Sequence, residues 1–164
     1  MTRAVRLYRR LFIELGRYQW FSWLSINVLV PIDRWLYRRT GGRSSLLHFG
    51  GRASALPTLL LTTTGRKSGE PRTTTVLYLQ HGEGLVVVGS NFGQPSHPAW
   101  SANLLAHPEA TVLLHGNRKS VKARLASEDE KTALWPRLLE IYPTWQAYTT
   151  RTDRSFRAFF LEPV

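Results

Sequence analysis

The chain has no cysteine among its 164 residues. That excludes a disulfide frame, a thiolate nucleophile and a Cys-ligated zinc site, and it suits a reducing cytoplasm. Carboxylates are also scarce, with 11 Asp and Glu against 22 Lys and Arg. The acids that cluster, Glu128, Asp129 and Glu130, follow Ser127 in a capping-box pattern, so they belong to the first turn of a helix and not to an acid/base pair. Histidines 48, 81, 97, 107 and 115 form no His-x-x-x-His pair, and no metal site is expected. Gly-x-Ser-x-Gly is missing, since Gly65-Arg66-Lys67-Ser68-Gly69 has the wrong spacing for a nucleophile elbow. The apolar segment Tyr18 to Ile32 runs fifteen residues without charge, short of the ~20 that span a bilayer.

What is present is a basic excess of +11, and it is unevenly placed. Residues 1–52 hold ten Arg against two acids and carry +8, while the remaining 112 residues carry +3. Arg3, Arg6, Arg10 and Arg17 recur at helical spacing, with Val5, Tyr8, Leu11, Phe12 and Leu15 on another face, which predicts a basic amphipathic helix. The Trp-rich run behind it, closed by Pro31, suits either an interfacial helix on anionic lipid or a cap on the molecule's own core. The expected organisation is an arm over residues 1–40 and a domain over residues 41–164, joined near Gly41-Gly42 and Gly50-Gly51. The first of the two readings places the protein in the cytoplasm, peripheral on the inner face of the cell membrane. The near-balanced charge beyond residue 52 argues against nucleic acid.

β-branched runs punctuated by Gly and Pro predict strands over 58–64, 73–80, 85–89, 110–114, 120–125 and 156–161. A short helix is expected to end over 103–107, before Pro108, another to follow Tyr142-Pro143, and a longer one to run from Ser127 to Ile141. Six antiparallel strands with rim helices predict an α+β fold built on a small barrel.

Between the first two strands, Thr62-Thr63-Thr64-Gly65-Arg66-Lys67-Ser68-Gly69-Glu70-Pro71-Arg72 places three cations and a hydroxyl on a Gly-bounded turn. Backbone N–H groups freed by Gly65 and Gly69, with Arg66, Lys67, Ser68 and Arg72 as donors, suit a phosphate. The order is not that of a P-loop, because a strand follows where a helix should start. An exposed basic hairpin tip is the competing reading of the same residues.

Together with Gly93-x-Pro95-x-His97-Pro98-x-Trp100-x-x-Asn103-Leu104 and Tyr142-Pro143 some forty residues later, this turn resembles the deazaflavin-dependent nitroreductase family, over about residues 40–164. These are coenzyme F420-dependent quinone reductases with a split β-barrel fold. The resemblance implies F420 as cofactor, its anionic phosphodiester and tail on Arg66, Lys67, Ser68, Gly69 and Arg72. It also implies ring and ribityl contacts from Thr62, Ser90 and Asn91, and contacts on the ring's other side from Ala99, Trp100, Ser101 and Asn103. Trp100 reads equally as a core anchor, and His97 as a donor that orders its loop.

In the family, tyrosines at the places of Tyr142 and Tyr148 close the acceptor pocket, and here they are the candidate catalytic residues, the proton coming from one of them or from solvent; Trp145 stands where a tyrosine is common. The implied reaction is hydride transfer to a menaquinone-like quinone or a nitro-aromatic compound. Two other functions use the same residues: a split barrel binding FMN through its phosphate, and a non-catalytic basic module on membrane or nucleic acid.

Overall fold

The computed structural model describes residues 3–39 and 56–164. The glycine pairs at 41–42 and 50–51, and the expected boundary between residues 40 and 41, lie outside them.

Six strands form the body: β1 (Thr58–Thr64), β2 (Pro71–His81), β3 (Gly84–Gly89), β4 (Glu109–Leu114), β5 (Asn117–Leu125) and β6 (Arg157–Pro163). They close into an antiparallel barrel in the order β1-β2-β3-β6-β5-β4, with β4 returning to β1. Closure removes the exposed edges that a six-stranded open sheet would leave. The expected β+α composition and strand count hold; β2 begins two residues earlier and β5 three residues earlier than the sequence predicts.

Alternation along the strands sorts apolar side chains into two sets. Leu59 and Leu61, Val76, Leu85 and Val87, Val112, Val121, Phe159 and Leu161 cluster with Trp100 and Leu104. Every strand contributes to this set, so it fills the barrel. Trp100 and Leu104 come from α4 (Ala99–Ala106), which has Pro98 at its N-cap and His107 at its C-cap, so the helix ends within 103–107 as expected. The second set places Leu79, Val86, Val88, Ala158 and Phe160 under α5 (Glu128–Ile141) and α6 (Thr144–Thr149). The capping box of α5 is formed as expected: Ser127 Oγ accepts Glu130 N–H at 3.1 Å and Glu130 Oε2 accepts Ser127 N–H at 2.8 Å.

The N-terminal segment is helical: α1 (Arg3–Gly16), α2 (Gln19–Leu24), a π turn (Ser25–Leu29) and α3 (Val30–Arg39). Pro31 closes the apolar run in sequence but does not end the helix. It lies just past the wide π turn, where the crowding a proline imposes on the preceding turn is relieved, and the helix continues to Arg39.

The segment packs on the barrel through specific groups. Thr144 Oγ1 donates to Ile13 O at 2.9 Å, and Thr75 Oγ1 to the buried Asp33 Oδ2 at 3.0 Å. Arg151 donates to Ser22 Oγ at 3.0 Å, Gly16 O at 3.4 Å and Arg17 O. Its outer face leaves Leu7, Leu11, Tyr18, Trp20, Trp23, Ile32 and Trp35 exposed. Among the described residues no helix is long and apolar enough to cross a membrane.

Candidate functional site

A cleft of about 950 Å³ opens between β2, the Ser90–Asn103 stretch, the aromatic residues around α6 and the π turn. It is lined by cations, hydroxyls, amides and rings, and by no carboxylate among the described residues. Such a lining favours an anion at one end and a flat apolar body at the other.

The basic end is the β1–β2 turn. Gly65 N–H donates to Glu70 O at 2.8 Å and Gly69 N–H to Gly65 O at 2.7 Å, which folds the turn back on itself. Of the two glycines only Gly69 has positive φ, at 69°. Gly65 is needed for space: a Cβ there would lie 2.8 Å from Ser68 Oγ and 3.1 Å from Glu70 O. Arg66, Lys67, Ser68 and Arg72 all line the cleft and are exposed. Arg72 donates to Ser68 Oγ at 3.3 Å, and none of the three cations is in an ion pair among the described residues.

Asn103 is turned to this loop. Its Oδ1 accepts Arg66 N–H at 3.1 Å and its Nδ2 donates to Thr63 Oγ1 at 3.0 Å, while the Thr63 hydroxyl donates to Arg72 O at 3.5 Å. Buried at 5% exposure, Asn103 therefore fixes the turn from behind while also bordering the cleft.

Opposite lies the Ser90–Pro98 loop. Asn91, Phe92 and Gly93 all have positive φ, at 47°, 55° and 74°. Left-handed backbone at Asn91 and Phe92 is held by neighbours. Arg154 donates to Gly89 O at 3.2 Å, Ser90 O at 2.6 Å and Gln94 O at 2.9 Å, and Arg151 donates to Phe92 O at 3.4 Å.

Arg154 also donates to His97 Nδ1 at 3.2 Å. A guanidinium has only donors, so His97 is an acceptor here and not the expected donor. Burial first, then Arg157 and Arg154, lower the His97 pKa and keep the ring neutral for that role.

Of the residues predicted for the site, Arg66, Lys67, Ser68, Arg72, Ser90, Asn91, Ala99, Trp100, Asn103, Tyr142, Trp145 and Tyr148 line the cleft. Thr62, Gly69 and Ser101 do not. Thr62 is bonded to Thr73, hydroxyl to hydroxyl at 2.9 Å, and Ser101 is fully buried with its hydroxyl on Pro98 O at 2.9 Å. Thr73, Thr74 and Thr75 on β2, and the π-turn residues Ser25, Ile26 and Leu29, line the cleft without having been foreseen. Nothing local marked either segment: alternation along β2 sets Thr74 on the face opposite Thr73 and Thr75.

The apolar end carries Tyr142, Trp145 and Tyr148, exposed by 4%, 2% and 1%. Trp145 and Tyr148, three residues apart, are both buried on α6, whereas Tyr142 stands at the C-cap of α5. Pro143 ends the run of Tyr142 before α6 begins, and the rings meet edge to face, Tyr142 to Trp145 at 5.8 Å and Tyr142 to Tyr148 at 6.2 Å between centroids. The two phenol oxygens lie 3.3 Å apart. Burial is the main cause that raises both phenol pKa values above their ordinary level, so both stay protonated donors.

A family model described as F420H(2)-dependent quinone reductase matches residues 30–163. The F420H(2)-dependent quinone reductase Rv1261c of Mycobacterium tuberculosis is 33% identical over 139 residues, covering 74% of this chain and 93% of that protein. A solved structure described as an F420-H2 dependent reductase (FDR-A) is 33% identical, superposes with a TM-score of 0.60, and covers 65% of this chain and 94% of its own.

Proposed function

Since the chain belongs to the F420H(2)-dependent quinone reductase family, an F420-dependent class of oxidoreductase, we propose that its cleft joins reduced F420 to a quinone of the menaquinone type. The observation that carries this reading is the polarity of one cleft: at one lip three cations without a carboxylate partner among the described residues, and buried aromatic rings at the other end. An anionic cofactor tail fits the first and a flat apolar acceptor fits the second.

In this reading Arg66, Lys67, Ser68, the Gly69 backbone and Arg72 hold the phosphodiester and tail. Ser90, Asn91, Ala99 and Trp100 border the ring, while Thr62, Ser101 and Asn103 support it from the adjoining strand and helix. When bound, F420H2 supplies a hydride, which carries two electrons and one proton. The quinone needs one further proton to become a hydroquinone. Tyr142 and Tyr148, kept neutral by burial, share one hydrogen bond between them, so the pair has one O–H left to orient the acceptor, and their raised pKa values leave the net proton to solvent. The protein's own contribution is orientation in a site sheltered from water, a term that reaches about 7–11 kcal/mol in intramolecular analogues.

The cleft is walled by Ile26 and Leu29, on the same helical segment whose outer face exposes Tyr18, Trp20, Trp23, Ile32 and Trp35. Rings of this kind next to a basic first helix support a peripheral seat on anionic lipid at the cytoplasmic face, where a lipid-soluble quinone is at hand. Flotation with anionic vesicles should carry the full chain upward and leave a chain shortened to residues 41–164 at the bottom; equal flotation of the two removes the lipid seat.

The activity test is anaerobic mixing of the full chain, F420H2 and menadione, followed through the cofactor's absorbance, with nitro-aromatic compounds in parallel. Oxidation dependent on protein and menadione is expected. Loss of reduced cofactor at the rate of the protein-free mixture contradicts the assignment.

A further inference from the structure

The π turn places Ser25 on the wall of the cleft, and no group among the described residues uses its hydroxyl. Ser25 is 2% exposed, yet its hydroxyl has no hydrogen-bond partner among the described residues. Other polar side chains of the same segment are satisfied locally: Ser22 Oγ reaches Tyr18 O at 3.4 Å and accepts from Arg151 at 3.0 Å, and Asn27 Nδ2 donates to Trp23 O at 2.8 Å. A buried hydroxyl without a partner is costly, and single π turns within helices concentrate at functional sites.

We infer that the Ser25 hydroxyl donates a hydrogen bond to a carbonyl oxygen of the electron acceptor, so that the N-terminal helical segment supplies part of the acceptor's binding site. This rests on the quinone reading given above. Three features direct the hydroxyl to the acceptor instead of the cofactor's tail. Ser25 lines the cleft together with Ile26, Leu29 and Val30, an apolar wall that suits a lipid-soluble ring and not an anion. Ser22, one helical turn earlier, accepts from Arg151, whose guanidinium lies over the Tyr148 ring at 4.9 Å, which puts Ser25 on the side of the aromatic cluster. The cations that suit the tail belong to the β1–β2 turn, on a different element.

A flat quinone against Tyr142, Trp145 and Tyr148 presents its carbonyl oxygens at the ring edge, where a single neutral donor gives direction without charge. Negative charge grows on that oxygen as the hydride arrives, so the same hydrogen bond strengthens along the reaction. Ser25 gives up no proton: the acceptor gains two electrons and one proton as hydride, and its second proton comes from solvent.

The test compares menadione with 2-methylnaphthalene, which has the same ring system and no carbonyl, by tryptophan quenching in the full chain loaded with oxidised F420. Ser25→Ala should weaken menadione about 3- to 10-fold, the range of one neutral hydrogen bond, and leave 2-methylnaphthalene and F420 unchanged. Ser25→Thr, which keeps the hydroxyl, should restore menadione binding. Unaltered menadione binding in Ser25→Ala, equal weakening of both ring compounds, or a shift confined to F420 each overturns the assignment. If the wild-type chain turns over menadione and Ser25→Ala binds it equally well, only the Ser25 assignment falls. A wild-type chain that fails to bind F420 removes this assignment and the family-based function together.

Discussion

Asn103 Oδ1 accepts the backbone N–H of Arg66 at 3.1 Å, across 37 positions of sequence, and so ties α4 to the turn that carries the cations. The other end of the same amide reaches Thr63, whose hydroxyl meets the carbonyl of Arg72. Both ends of the turn are thereby fixed by one side chain that is itself buried.

Removing that amide should loosen the turn without touching its charge. Asn103→Ala is expected to cost about 1–3 kcal/mol of stability, from polar groups left unpaired. It should also weaken F420 roughly 2- to 10-fold, because the cations are no longer held in place before binding. Urea unfolding and fluorescence titration give the two numbers. A loss of stability with cofactor affinity untouched would confine Asn103 to the core.

Gly16 sets how closely the N-terminal helix approaches the aromatic cluster. A Cβ there would stand 2.4 Å from Tyr142 Oη and 3.0 Å from Thr144 Cγ2. The Tyr142 ring is packed by Trp145 and Tyr148 and has nowhere to go. Gly16→Ala should cost roughly 1–3 kcal/mol of overpacking. Hydrogen exchange should then speed up over residues 3–39 while α5 stays protected. Unchanged exchange in that segment contradicts the docked arrangement.

Burial raises the pKa of Tyr142 and of Tyr148, so neither ionises at neutral or mildly alkaline pH. The pH profile of kcat/KM should therefore show no tyrosine ionisation below about pH 10. A break in that range that disappears in Tyr142→Phe or Tyr148→Phe would show a phenol acting as an ionising acid.

Glu130 is held at about 2, chiefly by the hydrogen bond from Arg124 and next by the Ser127 backbone. Its folded value lies below the ordinary 4.5, so its stabilisation is complete above that pH and fades as pH falls through about 2. The stability gap between wild type and Glu130→Gln should be present at pH 7 and close progressively in acid. A gap that widens as pH falls has the wrong sign for this linkage.

The barrel was readable because its strands are short β-branched runs between Gly and Pro, as in Thr73-Thr74-Thr75-Val76 and Leu85-Val86-Val87-Val88. The basic turn was readable because its residues are contiguous. Gly65 shows the limit even there: its glycine serves space and not φ, and only the fold brings Ser68 and Glu70 against it. Distance along the chain hid the rest. Phe92 is left-handed because Arg151 and Arg154, some sixty residues later, grip the loop around it. Ser25 became a site residue through a π turn and through helix docking on Thr144 and Arg151, none of which leaves a local signal. Thr62 and Ser101 lie in the right segments, yet their hydroxyls are taken by Thr73 and Pro98.

The most direct measurement is fluorescence titration of F420, and separately of FMN, into the full chain and into Lys67→Ala/Arg72→Ala. The account predicts saturable F420 binding that weakens with salt and by at least about tenfold in the double variant, since hydrogen bonds to charged groups contribute about 1.5–3 kcal/mol each. Thermal unfolding should be unaltered, because neither cation is in an ion pair among the described residues. Tight FMN binding with F420 emission unchanged, or F420 held equally well without Lys67 and Arg72, would contradict it.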